Sequence, residues 1–122
     1  MNKEQTDTFI QYLDTRTSAI QDEITRLVAD NRRDEGDFEK IRANIFQMAK
    51  TIFQASQKAY LEDSESVKFF DSRLTMIEHT WRTSLDKAKD YQDDQKILQE
   101  QVKLEAMDEI RTTYKRIWEA SL

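Results

Sequence analysis

The amino-acid sequence predicts an all-α protein folded as an antiparallel up-down-up-down four-helix bundle. Three observations predict it. The 122 residues hold one Gly and no Pro, where ordinary usage would supply roughly eight or nine Gly and six Pro. Apolar residues recur at steps of three and four along the chain, the period of a helix with one buried face. Four successive stretches each begin acidic and end basic, the order that the helix macrodipole favours. The same Gly and Pro deficit argues against β-sandwiches and barrels, whose tight turns need those residues. It also removes Gly-rich phosphate loops.

The first helix is expected over about residues 3–33. Ile10, Leu13, Thr17, Ile20, Ile24 and Leu27 form its seam, with Phe9, Tyr12 and Val28 as flanks. Asn2 with Gln5 three residues later predicts its N-terminal cap. Gly36 predicts its stop, since a lone Gly after a periodic stretch commonly ends a helix. The second helix is expected over 37–61, capped by Asp37, with Phe38, Ile41, Ile45, Met48, Ile52, Ala55 and Ala59 on its stripe. The third is expected over 64–90, capped by Asp63 or Ser64, with Val67, Phe70, Leu74, Ile77, Trp81 and Ala88 on its stripe and Leu85 alongside. The fourth is expected over 94–120, capped by Asp90 or Asp93, with Ile97, Leu104, Met107, Ile110, Tyr114 and Ile117.

No Gly or Pro marks the break between the last two helices. Phase predicts it. Carrying the third stripe onward from Ala88 reaches Gln92, Gln95, Gln99, Val102 and Ala106, about two residues away from the Leu104, Met107 and Ile110 stripe. At about 100° per residue, a continuous helix would turn its apolar face by roughly 200°. Leu98, Val102 and Ala106 nevertheless lie near the continued stripe. The rival arrangement is therefore a helical hairpin followed by one continuous helix over 64–120, completed by dimerisation. Either way residues 1–122 read as one domain.

Net charge is −5, from 24 acids and 19 bases, which disfavours nucleic acid and anionic membrane surfaces as partners. No apolar run approaches the length of a membrane-spanning helix, and the start Met1-Asn2-Lys3-Glu4-Gln5 lacks the apolar stretch of a signal peptide. A cytoplasmic location is expected. Zero Cys excludes disulfides, thiol catalysis and Cys-ligated zinc.

A four-helix bundle invites comparison with di-iron carboxylate centres, which use Glu-x-x-His on two helices. The single His is His79, and position 76 is Met, so no metal or cofactor is expected. The adjacent acids Asp22-Glu23, Asp93-Asp94 and Asp108-Glu109 diverge on a helix rather than converge for acid–base work. No Ser stands in a Gly-x-Ser-x-Gly elbow. Trp81, Met48 and Met107 fall on core stripes, Met76 lies beside one, and Trp118 would close the bundle end. An enzyme is not expected.

The second helix carries a further column at sevens, Phe46, Phe53 and Tyr60, with Ala49 and Ser56 between it and the main stripe. Its apolar arc spans roughly 160°, wider than one core face needs. Two explanations compete: deeper burial of this helix within the chain, or a candidate interaction surface formed by Phe46, Phe53 and Tyr60 for a protein partner or a second copy. The expected function is a non-enzymatic protein–protein interaction or structural module. The alternative is a small regulatory, inhibitor or immunity-type protein that occludes a target through acidic helix faces.

Overall fold

Four helices follow one another in the computed structural model: α1 (Lys3–Ala29), α2 (Arg33–Ala59), α3 (Asp63–Asp90) and α4 (Asp94–Glu119). The structure describes residues 2–120. The expected boundaries at residues 1 and 122 lie outside them. The helices pack as a four-helix bundle, and no strand occurs among the described residues. The break between α3 and α4 is real, so the continuous helix over 64–120 is not formed.

Two turns are built by residues other than glycine. Asn31 and Gln92 take φ of 59° and 53°, the left-handed conformation that ends many helices. At the first turn the Arg32 amide donates to the Leu27 carbonyl at 2.8 Å and the Asn31 amide to Val28 at 3.1 Å. At the other, Asp93 donates to Ala88 at 2.9 Å and Gln92 to Lys89 at 3.1 Å. Both are Schellman closures, which satisfy carbonyls that the helix end leaves orphaned.

Gly36 is therefore not the stop. α1 ends at Ala29, and α2 begins at Arg33 with Gly36 in its opening turns. Asp37 is inside α2, whose N-cap is Arg32, without a side-chain cap bond. Glu62 occupies the α3 N-cap, one residue before Asp63. The Asn2–Gln5 capping box forms, at 2.8 and 3.0 Å, and the Asp93 carboxylate accepts from the Lys96 amide at 3.1 Å.

A Cβ on Gly36 would meet Val28 Cγ2 at 3.5 Å, an ordinary contact, and Gly36 is not at positive φ. Gly36→Ala is accordingly expected to raise stability by about 0.5–1 kcal/mol, since alanine restricts the unfolded chain and favours the helix. Urea unfolding followed by far-ultraviolet circular dichroism checks this. A loss of stability would mean that the packing between α1 and α2 is too tight to admit a methyl group.

α2 packs against each of the other three helices, whereas the backbones of α1 and α3 stay apart. This arrangement explains its wide apolar arc: a helix on the short diagonal of the bundle needs burial on more than one face. One ring from each helix meets at the centre. Phe9 of α1, Phe53 of α2, Phe70 of α3 and Tyr114 of α4 are mutual neighbours, with centroids 4.7–6.3 Å apart. Edge-to-face pairs at these separations are favourable beyond their burial. Phe9, expected as a flank, is thus at the middle of the core, while Met76, expected beside it, is exposed.

Candidate functional site

Phe46 and Phe53 are fully enclosed within the chain, which corrects their assignment to a partner-facing surface. α1, α3 and α4 already cover α2. The column expected as peripheral is the buried one, and the column of Ile41, Met48 and Ala55 lies nearer the surface. Only Tyr60 reaches solvent, at 37% exposure, where it packs on Phe69 at 5.2 Å beside the fully exposed Leu61. Within this column only the Tyr60 end offers surface for self-association.

The polar groups that do converge act as clasps between helices. Gln5 donates to the carbonyls of Ile117 and Trp118 at 3.1 and 3.4 Å, joining the start of α1 to the end of α4. Farther along, the Arg16 guanidinium grips Glu109 through two 3.0 Å bonds, and the Tyr12 hydroxyl donates to the same carboxylate. Burial pushes the Glu109 carboxyl up, but Arg16 and Tyr12 outweigh it, and the net direction is downward. The Tyr12 phenol is pushed up by burial and by its bond to Glu109.

Between α3 and α4, Arg111 donates to Asp71 at 3.0 Å, to Thr75 at 2.9 Å and to Glu78. Burial acts upward on Glu78, and Arg82 and Arg111 pull it below the ordinary range. Carboxylates held ionised in this way are poor proton donors. They serve the fold by pinning α4 to its neighbours.

The seam between α1 and α4 is closed by the Gln5, Tyr12 and Arg16 bonds at one end, and a groove lies toward the other. Two adjoining hollows of about 420 and 250 Å³ share Phe38 and Leu98. Phe38 and Ile41 of α2, Leu27 of α1, and Leu98 and Val102 of α4 supply their apolar lining. Leu98 is half exposed. Every charged residue of the lining is acidic: Asp34, Asp37 and Asp94 around one hollow, Glu23, Glu35 and Glu39 around the other.

The N-termini of α2 and α4 both open here, and their dipoles favour the nearby carboxylates. Basic side chains stand outside the rim. Glu23 pairs with Arg26, Glu35 with Arg32, Asp37 with Lys40 at 3.6 Å and Glu39 with Arg42 at 3.4 Å, all within one helical turn. Asp34 and Asp94 have no ion pair among the described residues.

The core stripes of the single helices do not predict this groove. Its signal was Leu98 and Val102, two apolar residues off the α4 core stripe, together with the acids clustered at 34–39 and 93–94. Sequence reasoning also missed Glu100. It lies seven residues before Met107 on the core stripe and is buried, with one oxygen 3.0 Å from Lys103 and the other without a hydrogen-bond partner.

His79 is exposed on α3. Among the described residues there is no group of three or more His, Cys, Asp or Glu placed to hold a metal ion, and no helix is long and apolar enough to cross a membrane. No family model matches the chain, and neither a curated protein nor a solved structure matches it.

Proposed function

We propose that this protein is a non-enzymatic, cytoplasmic interaction module whose groove between α1, α2 and α4 takes a short basic amphipathic helix from a partner protein. One observation carries the proposal: the groove has an apolar floor, and the charged residues lining it are all carboxylates. Apolar side chains three and four residues apart on the incoming helix would fill the hollows at Phe38 and Leu98, the common mode of helix-in-groove recognition. Its Lys or Arg residues would replace Arg26, Arg32 and Lys40 on Glu23, Glu35 and Asp37, while Arg42, only 22% exposed and also 3.7 Å from Glu105, stays on Glu39. The three exposed pairs contribute little to stability, so their exchange costs little.

A second copy of this chain, at net charge −5, would bring like charges to the rim. The occupant is therefore a different protein. Where the basic helix belongs to an enzyme or toxin surface, the same contact makes the chain an inhibitor or immunity-type protein, with an unchanged binding face.

The test uses two labelled fourteen-residue peptides, two copies of Leu-Lys-Lys-Leu-Leu-Lys-Leu and the matching sequence with Glu for Lys, followed by fluorescence anisotropy. The basic peptide is expected to bind in the micromolar range at low salt and to weaken at least about tenfold in ~0.5 M salt, as screened surface charges require. Leu98→Lys, at a half-exposed position, is expected to weaken it by about tenfold without disturbing the fold. Equal binding of both peptides, or no effect of Leu98→Lys, would overturn the proposal.

A further inference from the structure

On the other side of α4 lies a groove of about 460 Å³ against α3, independent of the acidic one. We infer that it binds a small organic anion, with a flat apolar body beside Trp118 and Val67 and a carboxylate or phosphate reaching Lys68 and Lys115.

Three features support this site. The first is its charge. In an acidic protein, this groove is lined by Lys68, Arg111 and Lys115 against Asp71 and Glu119. Arg111 is already committed to Asp71, Thr75 and Glu78. Lys68 and Lys115 have no ion pair among the described residues, so the positive charge on offer is theirs.

The second is an unused donor. Tyr114 lines the groove and is 95% buried, yet its hydroxyl has no hydrogen-bond partner. Buried hydroxyls are nearly always paired, because an unpaired one keeps its desolvation penalty. Asp71, on the groove wall, adds to burial in pushing the Tyr114 phenol up. The hydroxyl has no surface open to the groove, so a ligand oxygen accepts its hydrogen bond only after a small shift of the wall around it.

The third is the apolar wall. Trp118 and Val67 are partly buried and pack on the core, leaving aromatic and aliphatic surface beside the two ammonium groups. A flat ring offers such a wall contact area at low entropic cost. A carboxylate then completes charge-assisted bonds to lysine.

The probe is 1-naphthylacetate, compared with its neutral analogue 1-naphthylacetamide, titrated into the ¹⁵N-labelled chain and followed by amide chemical shifts. For a ligand of this size, typical efficiency per atom gives a Kd of about 1 mM. Shifts are expected to concentrate at residues 67–71 and 111–119. The amide, and the Lys68→Gln/Lys115→Gln variant titrated with the acid, are each expected to bind about fivefold or more weakly, the loss of two exposed charge contacts.

Tyr114→Phe separates the hydroxyl from the ring. It is expected to weaken the acid about two- to fivefold while melting no lower than the parent chain. Equal affinity for acid and amide, shifts mapping to the acidic groove, no response below about 10 mM, or undiminished binding by the double lysine variant would overturn the inference.

Discussion

Phe53→Ala is expected to lower the folding stability by about 3–5 kcal/mol, the range for deleting a fully buried aromatic side chain. Phe53 is the α2 member of the four-ring cluster. It touches Phe9 at 4.9 Å, Phe70 at 5.3 Å and Tyr114 at 6.3 Å, so truncation opens a cavity that faces all three other helices at once. None of those rings belongs to a loop that could move in to fill it, since each sits inside its helix, more than a turn from the nearer end. Domains of this size are stable by only about 5–15 kcal/mol, so the variant would retain a fraction of that margin.

Urea titration with circular dichroism measures the change, and Phe46→Ala, equally enclosed, provides a second instance. A loss below about 1 kcal/mol at both sites would restore the column to the surface role that its spacing first suggested, since truncating an exposed residue typically costs that little.

The contrast between the two columns of α2 shows what sequence periodicity carries. Helix number, order and approximate length follow from the apolar period and the charge order, because those patterns respond to the helix as a whole. Which face points inward at a given height depends on where the neighbours lie. The seven-residue column of Phe46 and Phe53 looks peripheral only if α2 is assumed to have two neighbours. It has three, and the aromatic column becomes central.

The turns were legible in place but not in mechanism. A positive φ is easiest for Gly, yet Asn31 and Gln92 adopt it, which leaves Gly36 free to lie in α2 against Val28 and Leu27. The acidic-rimmed groove was legible only in fragments, as acids near two helix starts and as Leu98 and Val102 out of register. Their convergence depends on the spacing of α1 and α4, a tertiary property that no single stripe encodes.

Lys103 and Glu100 are expected to respond to substitution in opposite directions. The Glu100 side chain is 3% exposed and its Oε1 lies 3.0 Å from Lys103 Nζ, while its Oε2 has no hydrogen-bond partner. Lys103 in turn sits 5.7 Å from the centre of the Trp81 ring, a position favourable to a cation. Lys103→Met would leave the buried carboxylate without its counter-charge. Breaking a buried pair from one side costs about 3–5 kcal/mol. Lys103 keeps 29% of its side chain in water, so screening reduces the expected loss to about 2–3 kcal/mol.

Glu100→Met removes the half-satisfied charge itself and fills its place on the core stripe with an apolar chain of similar length. It is expected to leave stability unchanged or to raise it by about 1–4 kcal/mol. The double substitution Glu100→Met/Lys103→Met is then expected to recover what Lys103→Met alone loses, because the penalty belongs to the uncompensated carboxylate and not to the missing ammonium. Urea midpoints of the four chains close this cycle. Additive losses would mean that Lys103 stabilises the fold through Trp81 rather than through Glu100.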